Sequence, residues 1–274
     1  MATRQKTQGK PLAPIKIEKR TGTQSLERAV NVLRAIASRG RHGVRLKEVA
    51  EISGLSVSTS FRMLQYLHKE GLLDKNEHAS KYHLGPLLYE LGLLARPRYS
   101  LSEICDQAMQ NLAEKTQDTV YLSERSGLEA VCTLRKLGEY PVKVMPLDVG
   151  IRRPLGVGAG GLAILGAMPE DEAESIIQSI GNNIRHFGTL TPVSLRKLVQ
   201  KTRSQGYSYL PGATPFTGAV GVAFPPENPL CAISISAIAS RMNDKRQAKL
   251  AHTIQQEIKT IEEKLRTVRG LGIY

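Results

Sequence analysis

The spacing of apolar and polar positions predicts two short helices joined by a tight turn over residues 46–71. The first helix has one narrow apolar face, made of Leu46, Val49 and Ala50. Gly54 ends this repeat, and Ser56 can cap the second helix because its hydroxyl accepts free amide hydrogens of the first turn. The second helix is predicted to bury Ser60, Met63, Leu64 and Leu67. This is the plan of a helix-turn-helix, although a helical hairpin that serves only as core gives the same pattern.

A helix before this pair and a β-hairpin after it complete the predicted domain. The earlier helix is expected to begin at Ser25, its N-cap. Its apolar stripe contains Leu26, Ala29, Val30, Leu33, Ile36 and Ala37. After Gly71, strand-like runs at 72–74 and 81–84 flank a polar loop, which predicts the wing of a winged helix-turn-helix. The charged residues of this wing, either phosphate contacts or solvated charges, are Lys75, His78 and Lys81.

A leucine-rich helix is predicted after the wing. It opens at Gly85-Pro86 and is expected to end at Pro97. Its leucines at positions 87, 88, 91 and 94 exceed what one small domain needs to cover. We therefore expect a linker helix over residues 86–99 that packs against a second copy of itself or against the domain that follows.

From residue 100 onward, helical and alternating segments are mixed. Helices are predicted at 101–116, from Pro169, from Pro192 to about 204, and from Asp244 to about 268. The strand-like runs are TVYLSE, EAVCTLRKL, PVKVMP, GYSYL, GAVGVAF and LCAISISAI. Because these strands form hairpins in two groups while helices flank them, the pattern predicts an α+β domain with an antiparallel sheet.

The positive charge of the chain is concentrated at its N-terminal end. The formal net charge is +13; residues 1–98 hold 18 Lys+Arg against 8 Asp+Glu, and residues 99–274 hold 20 against 17. A basic segment binds polyanions by counterion release, which favours nucleic acid as the partner. Residues 1–24 are expected to be a disordered basic arm, either touching DNA or solvated. A membrane is not expected as a partner, because the arm lacks an aromatic and leucine face.

Composition excludes several other classes of protein. No apolar run approaches the roughly 20 residues of a membrane span, and the N-terminus lacks the apolar segment of a secretory signal. Three separate cysteines, Cys105, Cys132 and Cys231, argue against a disulfide framework and fit a reducing cytoplasm. Neither CxxC pairs nor histidines at ligand spacing occur, so no metal or other cofactor is expected.

An ordered set of short motifs across both parts of the chain resembles the IclR-type transcriptional regulators. The motifs are Ser25-Leu26-Glu27-Arg28-Ala29, Leu46-x-x-Val49-Ala50, Gly54-Leu55-Ser56, Ser58-Thr59-x-x-Arg62-x-Leu64, Gly71, Tyr82-x-Leu84-Gly85, Gly158-Ala159-Gly160, Gly206-Tyr207 and Ile233-Ser234-Ile235-Ser236. Each is weak alone, but together they run from residue 25 to about 265.

The resemblance implies an N-terminal winged helix-turn-helix domain (25–85), a linker helix (86–99) and a C-terminal GAF-like α+β effector-binding domain (100–274). It further implies a homodimer or homotetramer that binds double-stranded operator DNA and a small-molecule effector. Such proteins often control operons for the catabolism of small organic or aromatic acids. Two departures stand out: Ser60 replaces an aliphatic residue, and Leu210-Pro211-Gly212 replaces acidic residues after Gly206-Tyr207, while a cysteine common after the next glycine is absent from GAVGV.

The candidate DNA contacts lie at the starts of the two helices of the motif. They are Arg45, Lys47, Val57, Ser58, Thr59, Phe61, Arg62 and Gln65. Arg62 is the strongest candidate for base recognition, because a guanidinium can bind guanine with two hydrogen bonds, although a phosphate contact is the alternative. Arg45 and Lys47 are expected at phosphates, and Val57 and Phe61 at thymine methyl groups.

The candidate effector site combines a glycine-rich segment with the last strand. Residues 156–161 match G-x-G-x-x-G, but no clear β-strand precedes them, so a dinucleotide site is not predicted. The glycines leave backbone amides at a helix N-terminus, where a ligand carboxylate can bind. The candidate residues are Gly158, Ala159, Gly160, Leu155, Phe216, Ser234 and Ser236, with Leu147 as a further apolar wall. Arg152 and Arg153 are either a counter-ion for the ligand or surface charge.

Two other functions compete with a ligand-responsive regulator. An enzyme acting through the C-terminal domain is disfavoured, because the chain has no G-x-S-x-G elbow and no plausible Cys/His pair. An architectural DNA-binding protein without a ligand would bind by shape and charge, so sequence-selective footprinting would argue against it.

Overall fold

The computed structural model describes residues 23–95, 101–211, 216–225 and 230–270. The chain divides into two compact units, Met1–Arg96 and Pro97–Tyr274. The predicted basic arm lies outside the described residues as far as residue 22, and so do residues 96–100 at the end of the predicted linker.

The first unit is three helices followed by a two-stranded antiparallel hairpin and a fourth helix. Its elements are α1 (Gln24–Ala37), α2 (Leu46–Ser53), α3 (Val57–Lys69), β1 (Leu73–Asn76), β2 (Lys81–Leu84) and α4 (Pro86–Ala95). Val32, Ile36, Val49, Leu64 and Tyr82 form the centre of its core, at 0–5% exposure. The predicted helix-turn-helix with a wing is confirmed.

The turn between α2 and α3 follows the predicted chemistry. Gly54 adopts a left-handed conformation (φ +66°) that closes α2, which a residue with a Cβ adopts only under strain. Ser56 then caps α3, because its Oγ accepts a hydrogen bond from the Thr59 backbone N–H at 3.1 Å. At the other end of α2, the Glu48 carboxylate accepts from the Arg45 N–H at 3.0 Å. Both ends of the motif are thereby fixed by local hydrogen bonds.

Three details of the first unit differ from the prediction. The N-cap of α1 is Thr23, two residues before the predicted Ser25, so the helix begins at Gln24 and Ser25 lies inside it. Its buried residues are Val32, Ala35 and Ile36, while the predicted stripe residues Leu26 and Val30 are 67% and 45% exposed. Strand β1 extends into the predicted loop, because Lys75 and Asn76 pair with Tyr82 and Lys81. Leu26 and Val30 are thus exposed apolar residues in the N-terminal half of α1.

The second unit is a six-stranded antiparallel sheet with helices on both faces. Its elements are α5 (Leu101–Thr116), β3 (Thr119–Ser126), β4 (Glu129–Lys136), β5 (Arg152–Pro154), α6 (Ala159–Ala167), α7 (Glu170–Ile180), α8 (Pro192–Gln205), β6 (Ser208–Pro211), β7 (Thr217–Phe224), β8 (Cys231–Ile238) and α9 (Asp244–Gly270). The strand order is β5-β4-β3-β8-β7-β6, and every neighbouring pair is antiparallel. The predicted α+β class is confirmed, and the expected two groups of strands are joined in one sheet by the β3–β8 pairing.

The two faces of this sheet have different chemistry. Alternating residues of β3 and β8, among them Leu122 and Ile233, pack with α5 and α9 in one apolar core. Helices α6, α7 and α8 form a second core, which includes Ala130 and Ala232 on the opposite face. On the face that carries this second core, the side chains of β3 and β8 are mainly hydroxylic. This distinguishes them from the apolar side chains that form the two cores.

One strand prediction in this unit is wrong. The run PVKVMP (141–146) forms no strand, and the short edge strand β5 at Arg152–Pro154 lies later in the chain. The first three residues of this run are exposed, whereas Val144 is buried and its carbonyl accepts a hydrogen bond from the Tyr121 hydroxyl. Proline at both ends of the run leaves little room for a paired strand.

A buried carboxylate ties the start of β3 to the start of α9. Asp118 is 4% exposed and accepts hydrogen bonds from Arg246 at 2.6 Å and Arg241 at 3.3 Å. Both guanidinium groups also donate to the Thr116 carbonyl, and Arg241 stacks on the Tyr140 ring at 3.9 Å from its centroid. The negative charge is therefore fully compensated within the unit.

Candidate functional site

Helix α3 presents a contiguous exposed face beside its capped N-terminus. Ser60, Leu64 and Leu67 hold the opposite face against the core. Among the predicted DNA contacts, the exposed residues of α3 are Val57, Ser58, Phe61, Arg62 and Gln65. A recognition helix in the major groove uses this combination of a capped N-terminal turn and an outward polar face.

Two predicted contacts on α3 have distinct surroundings. Thr59 is half-buried, and its Oγ1 lies 2.8 Å from the Ser56 Oγ, so this hydroxyl already has a hydrogen-bond partner. Phe61 does not turn inward beneath the small Ser60, because its side chain remains 41% exposed, whereas Met63 packs against the core. Phe61 therefore stays available on the outer face.

The positively charged side chains of α2 and of the wing differ in exposure and in hydrogen-bond partners. Arg45 and Lys47, at the start of α2, are exposed. In the wing, Lys75 forms an ion pair with Glu77 at 2.7 Å, and the Lys81 ammonium donates to the His42 carbonyl at 2.8 Å. The two wing lysines are thus engaged within the unit, which favours α2 and α3 as the source of DNA contacts.

In the second unit, the predicted serines lie on a buried hydroxyl-rich face of the sheet. We call this the hydroxyl face and define it as Thr119, Tyr121 and Ser123 of β3 with Ser234 and Ser236 of β8. Tyr121 pairs with Ser234 and Thr119 with Ser236, so the side chains of each pair lie on the same side of the sheet. All five residues are 5% exposed or less.

The N-terminus of α6 lies directly on this face. Gly158 precedes the helix with φ +87°, a conformation that favours glycine. A Cβ on Gly160 would be 2.5 Å from the Ser123 Oγ and 3.6 Å from the Ser234 Oγ, so only glycine allows this approach. The predicted Gly160 and Ser234 are therefore brought together.

A short strand does precede the glycine-rich segment, contrary to the sequence prediction. That strand, β5, pairs antiparallel with β4 at the edge of the sheet. A dinucleotide-binding turn belongs to a parallel β-α-β unit, whereas β5 is antiparallel to its neighbour. That no dinucleotide site exists therefore remains a prediction, which now rests on strand direction instead of on a missing strand.

The two adjacent arginines have different environments. Arg152 forms an ion pair with Glu129 at 2.8 Å and donates to the Ser126 hydroxyl at 2.7 Å. Arg153 donates to the Pro146 carbonyl and has no carboxylate partner among the residues that the structure describes. Burial lowers the pKa of the Arg153 guanidinium, while nearby Tyr121 and Cys132 act in the opposite direction. Arg153 is therefore a partly buried cation near Tyr121 whose acceptor is a neutral carbonyl.

Residues 144–148, here called the covering segment, are held over this face by side-chain donors. The Tyr121 hydroxyl donates to the Val144 carbonyl at 3.1 Å, and Arg135 donates to the Leu147 carbonyl at 3.1 Å. Arg135 also forms an ion pair with Asp148 at 2.6 Å. Together with the bond from Arg153, these contacts place three backbone carbonyls opposite three strong donors.

The residues predicted to form apolar walls of the effector site are not part of the hydroxyl face. Leu155 is fully buried in the core between the sheet and α6–α8, and Phe216 is 75% exposed. Leu147 belongs to the covering segment and is half-buried. The face itself is thus lined by polar groups.

The cysteines are free and buried. Cys132 lies beside Arg153, and burial raises the pKa of its thiol to about 11. Among the described residues, no group of three or more His, Cys, Asp or Glu side chains is placed to hold a metal ion. Within the same residues, no helix is both long and apolar enough to cross a membrane.

Sequence reasoning missed residues at both sites. Tyr66, 63% exposed and one turn beyond Arg62, continues the outer face of α3. Thr119, Tyr121 and Ser123 alternate with Val120 and Leu122 in the same period-two pattern as the serines of β8. Reading the two strands together would have identified the hydroxyl face.

Comparison with known proteins assigns both units. The model of the IclR helix-turn-helix domain matches residues 25–77, and that of the bacterial transcriptional regulator IclR C-terminal domain matches residues 96–263. The HTH-type transcriptional regulator XynR of Escherichia coli K12 is 26% identical over 243 residues, covering 85% of this chain and 93% of XynR. The HTH-type transcriptional repressor AllR of Salmonella typhi is 27% identical over 253 residues, covering 87% and 90%.

The fold has solved counterparts of nearly full length. The structure of an IclR homologue from Microbacterium hydrocarbonoxydans, complexed with 4-hydroxybenzoate, superposes with a TM-score of 0.67 at 20% identity. The match covers 89% of this chain and all of the other. With family models matched across both units, the chain belongs to the IclR family of transcriptional regulators, and it is a DNA-binding regulator.

Proposed function

We propose that this protein is a homodimeric or homotetrameric repressor or activator that binds operator DNA in the cytoplasm and controls a catabolic operon for small organic or aromatic acids. Its named relatives are transcriptional regulators, and AllR is a repressor, which favours regulation over catalysis. The observation that carries the proposal is the exposed outer face of α3 beside the Ser56 cap, on a chain whose excess positive charge lies at the same end.

For DNA recognition, we infer that α3 reads base edges and α2 contacts phosphates. Arg62 is exposed and has no ion-pair partner among the described residues, so its guanidinium is available to guanine. Ser58, Gln65 and the apolar Val57 and Phe61 flank it on the outer face, and Thr59 acts mainly through the cap. Arg45 and Lys47 supply positive charge at the start of α2.

The test begins with selection of bound sequences from random double-stranded DNA by the full chain. Arg62→Ala should lower affinity for the selected sequence by about ten- to a hundredfold, because a bidentate base contact contributes roughly 1–3 kcal/mol. Its affinity for unrelated DNA should change much less. Arg185→Ala, which removes an exposed arginine of the second unit, is the matched control for charge. Equal losses on selected and unrelated DNA would reassign Arg62 to a phosphate.

For the effector, we infer a site at the N-terminus of α6 and the hydroxyl face, including Gly158, Ala159, Gly160, Ser234 and Ser236. The support is the close approach of Gly160 to the Ser123 and Ser234 hydroxyls. The structure of the Microbacterium homologue with 4-hydroxybenzoate shows that a protein of this fold can hold an acid. Leu155 and Phe216 have weaker support, since one is core and the other is exposed.

Effector binding is tested by thermal shift of the full chain against organic acids, followed by operator binding with each acid that stabilises it. A ligand that binds only the folded state raises the melting temperature by mass action. An acid that stabilises the protein and also changes operator affinity supports the proposal, and stabilisation without any effect on DNA would count against regulation by that acid.

For assembly, we infer that apolar residues of the first unit mediate association between copies of the chain. Leu26 and Val30 on α1 and Tyr89, Leu91 and Leu94 on α4 are 45–87% exposed. Solvent-exposed apolar clusters of this kind mark association surfaces. Sedimentation analysis of Leu94→Asp against Leu128→Asp, an exposed leucine of the second unit, tests this: only the first should shift the mass toward monomer.

A further inference from the structure

Two apolar side chains are neighbours on the exposed surface of α3. Val57 and Phe61 are four residues apart, a spacing that puts them on one side of a helix. They are 49% and 41% exposed, while Ser60, Leu64 and Leu67 form the side of α3 that faces the core. We call Val57 and Phe61 the apolar stripe. The folded unit leaves this stripe in solvent at the end of α3 that a recognition helix places against DNA.

A polar pair runs beside the apolar stripe. Ser58 and Arg62 have the same four-residue spacing, are exposed, and each follows a residue of the stripe in the sequence. The excess positive charge of the chain lies in the same N-terminal part. The partner of this surface therefore has negative charge or acceptors for the guanidinium and, directly beside them, an apolar group for the stripe. DNA offers both in its major groove.

The apolar group that the major groove presents at base edges is the C5 methyl group of thymine. The other groups that distinguish the bases there are hydrogen-bond donors and acceptors. If Val57 and Phe61 covered donors and acceptors, they would remove water from them without replacing its hydrogen bonds, which is unfavourable. Contact with a methyl group instead removes apolar surface of both partners from water, which is favourable.

We propose that the apolar stripe binds the C5 methyl groups of pyrimidines in the operator, so that this protein distinguishes thymine from uracil and 5-methylcytosine from cytosine. The inference rests on the proposed reading of base edges by α3 and names the chemical group that two of its side chains recognise. Methylation of cytosine at C5 within the operator therefore strengthens binding wherever the methyl group lies against the stripe.

The first test removes single methyl groups from the DNA. Sequences bound by the full-length protein are selected from random double-stranded DNA, and each thymine of the selected site is replaced in turn by deoxyuridine. Affinity is measured by fluorescence anisotropy at one fixed salt concentration. Loss of a contacted methyl group should weaken binding about fourfold, the effect of burying one group of this size. A selected site without thymine, or no effect at any of its thymines, would overturn the inference.

The second test assigns the methyl contact to the side chains. Val57→Ala and Phe61→Ala should each lower the thymine-to-uracil ratio of affinities from about four to about one at the thymine that the side chain contacts. Phe61→Leu, which keeps an apolar side chain, should retain part of the ratio. Tyr66→Ala is the matched control, because it removes a 63% exposed aromatic side chain on the other side of Arg62, and its ratio should equal that of the wild type. Wild-type ratios in both stripe variants, or an equal loss in Tyr66→Ala, would overturn the inference.

The third test asks whether the methyl group is read independently of the base. At each sensitive position the T·A pair is replaced by C·G, with and without a methyl group at C5 of the cytosine. Wild-type protein should bind the methylated DNA about fourfold more tightly, and Phe61→Ala should bind both forms equally at its position. Equal binding of the two forms by the wild type would overturn the inference.

The outcomes separate this inference from the proposed function. A selected site that depends on Arg62 but ignores pyrimidine methyl groups would overturn the inference and leave the regulator intact. Absence of any sequence preference would refute the reading of base edges and this inference with it. A shift of Phe61→Ala toward monomer in sedimentation, with an unchanged thymine-to-uracil ratio, would assign the stripe to association between copies and would also overturn the inference.

Discussion

Ser60 should destabilise the helix-turn-helix because its hydroxyl is buried beneath α3 without a partner. Its side chain is 0% exposed, and the Oγ has no hydrogen bond among the described residues. An unsatisfied buried hydroxyl costs roughly 1–3 kcal/mol, and alanine is also a better helix former by up to about 0.5 kcal/mol. Ser60→Ala should therefore stabilise the first unit by about 1–2 kcal/mol.

Ser53→Ala is the matched control in the neighbouring helix. Ser53 is 6% exposed, but its Oγ donates to the Val49 carbonyl at 2.6 Å. Both variants gain the same helix propensity, so their difference isolates the hydrogen bond. Ser53→Ala should be neutral or destabilising by up to about 1 kcal/mol, because it removes a satisfied bond.

Amide hydrogen exchange of α3 in the full-length protein, measured by mass spectrometry, reports the stability of this unit directly. Ser60→Ala should slow exchange of its most protected amides by a factor of about 5–30, the ratio that corresponds to 1–2 kcal/mol. Exchange that becomes faster in Ser60→Ala, or that slows equally in Ser53→Ala, would refute the assignment of the penalty to the unpaired hydroxyl.

Two further predictions concern charged pairs of the second unit. Asp118→Ala should destabilise the protein by about 3 kcal/mol, because it leaves Arg246 and a second guanidinium without their buried carboxylate; a change below about 1 kcal/mol in thermal unfolding would contradict this. Hydrogen bonds from Arg196 lower the pKa of Glu174 from its ordinary 4.5 to about 2, so the stability contributed by this carboxylate is present above pH 4.5 and is lost as the pH falls through about 2. Acid titration of unfolding should therefore show a smaller loss between pH 4.5 and 2 for Glu174→Gln than for the wild type, and identical titrations would argue that the pair is not formed in solution.

The helical part of the fold was predictable because its signals are local. The Ser56 cap and the left-handed Gly54 depend on a few neighbouring residues, and both occur as the sequence predicts. The start of α1 was misplaced because Thr23, Gln24 and Ser25 are adjacent polar residues, any of which can begin a helix. Its buried face was misjudged since Leu26 and Val30 continue the apolar repeat beyond the surface that the small core covers.

The arrangement of the sheet was less accessible to sequence reasoning. The order of strands depends on the pairing of β3 with β8, which are separated by about a hundred residues and share no local signal. This pairing brings Tyr121 beside Ser234, so the set of residues in the candidate effector site depends on it. Arg152 and Arg153 likewise look equivalent in sequence, but the alternation of β5 gives Arg152 a carboxylate partner and Arg153 a backbone carbonyl.

Helix α6 packs closely against its neighbours at two glycines, one near each end. Near its N-terminus, a Cβ on Gly160 would be 2.5 Å from the Ser123 Oγ; near its C-terminus, a Cβ on Gly166 would be 2.5 Å from the Thr202 methyl group of α8. If the effector binds at this N-terminus as proposed, a ligand beneath Gly160 would have to displace α6, a helix of nine residues, and the close packing of Gly166 on Thr202 would pass that displacement to α8. The two glycines would then couple the size of a bound molecule to the position of the neighbouring helix.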